Sequence, residues 1–145
     1  MDQEGFDASD AIIRAQTLAS SAEINFPSGV FRVTKAIPST KTWRGVRGGY
    51  ARRGTHIVVD NPVAINPVID CTALNAAIEL HGIHFEDKQQ HKHTLLKEGV
   101  YQGLYTGVRI DKFAMGIETS GTYAYFEDCY INGIVTGKQI GRAHV

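Results

Sequence analysis

The sequence predicts an all-β fold in which short strands form coils that stack along one axis. The first observation is a repeat, because three apolar positions and one glycine recur in the same order 21 residues apart. The matched positions are Val108 with Cys129, Ile110 with Ile131, Phe113 with Ile134, and Gly116 with Gly137. A fixed period in the low twenties is typical of coil-repeat folds, in which each coil buries its apolar face against the next.

The second observation is the alternation within each copy. Val108 and Ile110 are two residues apart, as are Cys129 and Ile131, and such alternation places every second side chain on one face of a strand. The third is glycine, which occurs four times between residues 116 and 137 and interrupts any long helix. With only two copies in view, chance similarity is the alternative to a true repeat.

The composition fits one ordinary domain with a sizeable core. The chain has 145 residues, 43% of them hydrophobic, and a formal net charge of zero, which disfavours nucleic-acid binding by bulk electrostatics. No apolar run approaches the roughly 18 residues of a membrane span, and the N-terminus has no signal-peptide pattern. Cys71 and Cys129 are expected to be buried and unpaired, since they show neither a metal-binding nor a disulfide spacing.

The charge is unevenly distributed along the chain. Residues 24–59 contain no acidic residue but seven basic ones: Arg32, Lys35, Lys41, Arg44, Arg47, Arg52 and Arg53. Solvated turns are one interpretation. A patch for an anionic polymer, such as an acidic polysaccharide or a phosphate backbone, is the other.

In chain order, residues 7–19 predict a helix, with Asp7 as its cap, Asp10 in a capping-box position, and an apolar stripe. The stripe consists of Ala8, Ile12, Ala15 and Ala19, with Leu18 beside it. Short strands are predicted within 23–33, at 41–43, at 56–59, at 68–71 and within 77–85, where Gly82 marks a bend. Residues 88–104 predict an outward loop between coils.

The order of these features resembles the start of the pectate-lyase-like right-handed parallel β-helix family. The resemblance rests on the alanine-rich helix, FPSGVF at residues 26–31, the basic glycine-rich turn and THIVVD at residues 55–60. It is closest to the members found in phage tail spikes and in polysaccharide-degrading proteins. It implies a single-stranded parallel β-helix whose open end is capped by the helix, with coils over residues 23–137.

Residues 1–139 are then expected to be the N-terminal part of one β-helix domain. The last six residues, 140–145, read IGRAHV and match a translated sequencing adapter. We expect them to be foreign to the protein, and such additions are excluded from fold reasoning.

The resemblance implies a polysaccharide-binding or polysaccharide-cleaving protein, with a phage or prophage tail spike acting on surface glycans as the leading form. It implies a virion or extracellular location and a possible homotrimer, and the sequence indicates neither nucleic acid nor membrane as a partner. The alternatives are a secreted pectate-lyase-like lyase or glycoside hydrolase, and a non-catalytic structural fibre. Whether the chain is an enzyme is left open, since catalytic residues could lie outside it.

Candidate site residues follow from the chemistry that cleavage of a polysaccharide needs. Hydrolysis requires two carboxylates, and the candidates are Asp111, Glu127 and Asp128. Arg109, Tyr101 and Tyr105 are candidates for substrate binding. Calcium is possible by resemblance only, and no metal site is predicted.

The histidines are the other residues that could act as metal ligands. His81 and His84 lie in a predicted strand, and His91 and His93 lie in the predicted loop. Without a third ligand in view, we expect all four to be surface residues.

Overall fold

The computed structural model describes residues 3–18, 23–39, 41–49, 53–72, 77–99, 103–119, 125–132 and 135–136. In chain order the elements are β1 (Gln3–Asp7), α1 (Ser9–Leu18), β2 (Glu23–Asn25), β3 (Gly29–Val33), β4 (Ile37–Pro38), β5 (Thr42–Arg44), β6 (Thr55–Val59), β7 (Ile69–Asp70), β8 (Glu79–His81), β9 (Ile83–Asp87), β10 (Thr94–Lys97), β11 (Leu104–Thr106), β12 (Arg109–Asp111), β13 (Met115–Glu118), β14 (Tyr125–Glu127), β15 (Tyr130–Asn132) and β16 (Val135–Thr136).

The strands form three parallel sheets. Sheet A has the order β1-β3-β6-β9-β12-β15, sheet B the order β2-β5-β8-β11-β14, and sheet C the order β4-β7-β10-β13-β16. The chain leaves sheet B at β2 and returns to it at β5, β8, β11 and β14, so the molecule is a parallel β-solenoid of about four turns. The predicted fold class, stacked coils of short parallel strands with an N-terminal helix, is confirmed.

The predicted 21-residue repeat matches the pairing of strands in part of the solenoid. Ile110 lies opposite Ile131 across β12 and β15, which is the pairing that the repeat predicts, and the same offset relates β11 to β14. The repeat does not hold across β13 and β16, where Ile117 lies opposite Val135 and the offset is shorter. The 21-residue offset therefore does not extend to the described pairs of this sheet. The predicted matches of Phe113 with Ile134 and of Gly116 with Gly137 are not tested, because Ile134 and Gly137 lie outside the described residues.

The core consists of columns of inward side chains, one layer per coil. The sheet B column contains the aromatic rings of Trp43, Tyr105 and Phe126. Tyr105 stacks on Phe126 with ring centroids 4.9 Å apart. In sheet C, Ile69 and Leu96 occupy equivalent positions and are fully buried. Parallel register thus lets each coil bury the apolar face of its neighbour.

The N-terminal helix lies where it was predicted, with differences in detail. Ser9 donates its backbone N–H to Asp7 Oδ1 at 2.9 Å, so Asp7 caps the helix start. Asp10 instead forms an ion pair with Lys35 at 2.6 Å. Ile12 is buried as predicted, but Leu18 is 75% exposed because it lies beyond the face that contacts the core. Strand β1, which pairs with β3, was not predicted.

The outward loop predicted for residues 88–104 is wrong. Within it, β10 is a buried strand of sheet C, and only a short turn precedes it. His93, expected at the surface, has no exposed area. Its Nδ1 accepts a hydrogen bond from the Ile65 N–H at 2.9 Å, and its Nε2 lies 3.1 Å from Gln89 Oε1. These partners explain how the polar His93 side chain can occupy the interior, whereas Lys88 and residues 90–92 are exposed.

Other predictions concern single residues. Gly82, at φ +69°, makes the predicted bend between β8 and β9, a conformation that favours glycine. Cys71 and Cys129 are buried and unpaired, as predicted. In the described part of the chain, no helix is long and apolar enough to cross a membrane. The tail, residues 140–145, lies outside the described residues.

Candidate functional site

A cleft of about 570 Å³ lies on the outward face of sheet A. Along β6, β9 and β12 the apolar residues Ile57, Phe85 and Ile110 point inward and are buried. Successive side chains on a strand point to opposite faces. The residues before and after each inward residue therefore form two parallel rows on the outward face.

The first row forms the floor of the cleft. Strand register places His56 opposite His84, His84 opposite Arg109, and Arg109 opposite Tyr130. The two imidazole rings are stacked, with centroids 4.2 Å apart and planes 2° from parallel. The Arg109 guanidinium carbon lies 5.2 Å from the centroid of the Tyr130 ring, within cation–π range. We call the cleft over this row the ladder cleft.

The second row holds the carboxylates beside the ladder cleft. Glu86 Oε1 lies 3.0 Å from His56 Nε2, and Glu86 Oε2 accepts a hydrogen bond from Lys112 Nζ at 3.2 Å. Asp111 Oδ2 lies 2.9 Å from His84 Nε2 and 2.6 Å from Arg109 Nε. Each carboxylate is thus shared between an imidazole and a fixed cation.

Two pKa values in these rows depart from their ordinary ranges. Burial alone would raise the pKa of Glu86, but the Lys112 ammonium and His56 outweigh it and lower the pKa. Burial lowers the pKa of His84, and the neighbouring His56 lowers it further against the opposing effect of Asp111. Near neutral pH, Glu86 is therefore an anion and His84 is a neutral imidazole.

The rim of the ladder cleft comes from loops between sheets B and A. The turn between β5 and β6 supplies Arg47 and Arg53, and the turn between β14 and β15 supplies Asp128. Arg47 Nη2 forms an ion pair with Asp128 Oδ2 at 2.5 Å. Gly54 is needed in this turn, because a Cβ there would lie 2.4 Å from the Gly48 backbone nitrogen.

The structure brings together three of the six predicted site residues. Arg109 and Asp128 line the ladder cleft, and Asp111 lies beside its floor, nearly buried and bonded to Arg109. Glu127 is exposed on β14, where it borders a second, smaller depression and accepts a hydrogen bond from the Tyr125 hydroxyl.

Of the two tyrosines predicted to bind substrate, Tyr105 does not line the cleft. Tyr105 has no exposed area, and its hydroxyl donates a hydrogen bond to the buried Glu98 carboxylate. Burial and the adjacent Glu98 hold the pKa of Tyr105 well above its usual value. Its ring belongs to the core and not to a sugar-contacting surface, which corrects the expectation. Tyr101 lies outside the described residues.

His56 and the role of Arg47 were missed by the sequence analysis. One signal was available: THIVVD at 55–60 and IHFED at 83–87 both place a histidine just before an inward apolar residue. The offset between these two segments is longer than the predicted repeat, so a search for that repeat does not align them. His56, His84 and Glu86 also form a group whose potential ligand atoms lie within 4.8 Å of one another.

Comparison with known proteins finds no matching family model, no matching curated protein and no matching solved structure. The structure supports one part of the resemblance seen in the sequence, the parallel β-solenoid architecture.

Proposed function

We propose that the ladder cleft binds an acidic polysaccharide. The observation that carries this proposal is the set of cations and rings along one open cleft. Among its lining residues, Arg47, Arg53 and Arg109 outnumber the one carboxylate, Asp128. When Lys112, Glu86 and Asp111 beside the cleft are also counted, four cations face three carboxylates. The remaining formal charge of about +1 attracts anionic groups.

The geometry of stacked coils suits a polymer. Adjacent parallel strands lie about 4.8 Å apart, so equivalent outward residues recur at that spacing along the solenoid axis. A polysaccharide lying across the strands would meet a new row of side chains at each coil. Arg109 would bind a carboxylate or sulfate through its planar guanidinium, and Tyr130, 37% exposed, offers a ring face for a sugar.

Binding is favoured over hydrolysis by the state of the carboxylates. A hydrolase needs one carboxyl that stays protonated to act as an acid. Glu86 instead has a lowered pKa, and Asp111 is bonded to Arg109. Both carboxylates hold the cations of the site in place, a role suited to recognition.

In this proposal the chain is part of a phage or prophage tail spike and the ligand is a cell-surface glycan. That setting comes from the resemblance in the sequence. The supporting structural fact is the repeated, rigid outer face of sheet A, on which a long glycan could lie.

The test is calorimetric titration of the full chain with a hexamer of galacturonate and, separately, with the neutral hexamer maltohexaose. We expect binding of the acidic hexamer only, weakening as salt is raised. Arg109→Gln should weaken binding about 10-fold or more, because a charge-assisted hydrogen bond contributes about 1.5–3 kcal/mol. The matched control is Arg14→Gln, on the exposed face of α1. Equal binding of maltohexaose, or an equal loss in both variants, would refute the proposal.

A further inference from the structure

We propose that His56, His84 and Glu86 form a binding site for one Zn²⁺ ion. This site goes beyond glycan binding and does not depend on it, since it is built by three side chains of strands β6 and β9 alone. One potential ligand atom from each side chain lies within 4.8 Å of the other two.

The backbone presents these ligands on one rigid surface. His84 and Glu86 are two residues apart on β9 and therefore share its outward face. His56 lies directly opposite His84 on the adjoining strand β6. Sites built on regular strands hold their ligands more firmly than sites on loops do, so the backbone positions of the three ligands are fixed before an ion binds.

The distances are close to those that tetrahedral zinc requires. Zinc bonds to imidazole nitrogen at about 2.0–2.1 Å, which sets neighbouring ligand atoms about 3.4 Å apart in a tetrahedron. His56 Nε2 and Glu86 Oε1 are already 3.0 Å apart. The imidazole rings are stacked, with centroids 4.2 Å apart and planes 2° from parallel. Both rings must therefore turn about their χ angles before one nitrogen of each points at a shared ion.

The other polar contacts around the site are compatible with an ion. Lys112 bonds to Glu86 Oε2, which leaves Oε1 as a single ligand atom facing His56. Asp111 bonds to the His84 ring and thereby fixes its orientation. A carboxylate behind a ligating histidine is the usual supporting contact in zinc sites.

The donor set selects the class of metal. Two imidazoles and one carboxylate suit Zn²⁺ and its neighbours in the transition series, whereas Ca²⁺ prefers six or more oxygen ligands. The three side chains are only partly buried, with His56 and Glu86 each 26% exposed and His84 30% exposed. A bound ion would therefore keep one coordination position open to the ladder cleft, for water or an anionic group.

The test uses the full chain without an added histidine tag, stripped of metal with EDTA. Zn²⁺ is titrated by calorimetry, and Co²⁺ by visible absorption, which is strong only when Co²⁺ is four- or five-coordinate. We expect one ion per chain and an intense Co²⁺ spectrum that Zn²⁺ abolishes. His56→Gln and Glu86→Gln should each weaken Zn²⁺ binding about 100-fold, since removing even an outer-shell partner costs 10–100-fold.

The matched control is His91→Gln, because His91 is an exposed histidine outside the group. Circular dichroism checks that each variant is folded. The wild-type Co²⁺ spectrum decides the matter even where a variant does not fold. A weak octahedral spectrum, no binding below about 100 μM Zn²⁺, or an equal loss in His91→Gln would each overturn the proposal.

Discussion

Replacing the buried Asp87 with alanine should destabilise the solenoid more than a typical surface substitution does. Asp87 ends strand β9 and has no exposed area. Its carboxylate accepts three backbone hydrogen bonds, from the N–H groups of Gln89 and Lys92 at 2.9 Å each and of His93 at 2.7 Å. These bonds hold the turn that connects sheet A to the buried strand β10.

The magnitude follows from the surroundings of the three donors. The His93 N–H is buried, and leaving it without an acceptor costs about 1–3 kcal/mol. Gln89 is half-buried and Lys92 is exposed, so water replaces part of those bonds and each contributes about 1 kcal/mol. We therefore expect Asp87→Ala to lower the free energy of unfolding by about 4 kcal/mol. Asp87→Asn keeps one acceptor oxygen and should cost about 1–2 kcal/mol, the equivalent of one or two of these hydrogen bonds.

Urea unfolding followed by circular dichroism measures the effect on the full chain. With a slope of about 2 kcal/mol per molar urea, the midpoint should fall by about 2 M for Asp87→Ala and by about 0.5–1 M for Asp87→Asn. The control is Asp10→Ala, because Asp10 is exposed and its surface ion pair with Lys35 contributes at most about 1 kcal/mol, so its midpoint should fall by no more than about 0.5 M. If Asp87→Ala matches that control, the three bonds do not hold the turn and the reasoning is refuted.

Two further substitutions test the core and the charges. Trp43→Ala should lower the free energy of unfolding by about 3–5 kcal/mol, because it empties a fully buried position in the sheet B column. A urea midpoint within about 0.5 M of wild type, equivalent to about 1 kcal/mol, would contradict that packing. The hydrogen bond from Gln89, together with Arg32, lowers the pKa of Asp60. The ionised Asp60 carboxylate therefore contributes its full stabilisation above about pH 4, the ordinary carboxyl pKa. That stabilisation is lost as pH falls further. Asp60→Asn should therefore reduce the loss of stability on acidification, as measured by urea midpoints between pH 6 and pH 3, and an unchanged pH profile would count against the assignment.

The sequence predicted the class of fold because the physics of a coil is local. Alternating apolar residues, glycine bends and an amphipathic helix each appear within a few residues, and all of them agree. The offset between Ile110 and Ile131 was also visible, because both residues occupy the same position on the neighbouring strands β12 and β15. These features depend on neighbouring residues and not on how distant coils align.

The candidate site depended on that alignment and was only partly predictable. Successive sheet B strands start at positions 23, 42, 79, 104 and 125, so the length of chain in one coil changes from each coil to the next. No fixed period could therefore place His56 beside His84. Tyr105 was misplaced for a related reason, because Leu104 and Tyr105 are both apolar enough to point inward and only the register decides between them.

Polar residues in the interior were the other source of error. Residues 88–93 are hydrophilic, which indicates a surface loop when composition alone is considered. Asp87 and His93 are nevertheless buried, because backbone N–H groups satisfy them. Such pairing joins residues that are far apart in the chain, as Ile65 and His93 are, and so cannot be inferred from a local pattern.

In the function proposed above, the register of sheet A builds the ladder cleft as a site for an acidic glycan. Chemical-shift mapping of the ¹⁵N-labelled full chain, titrated with galacturonate hexamer, tests this most directly. We expect the largest shifts at Arg47, His56, His84, Arg109 and Tyr130, which lie on four different coils and share one cleft. Shifts concentrated elsewhere, or equal shifts with maltohexaose, would contradict the account.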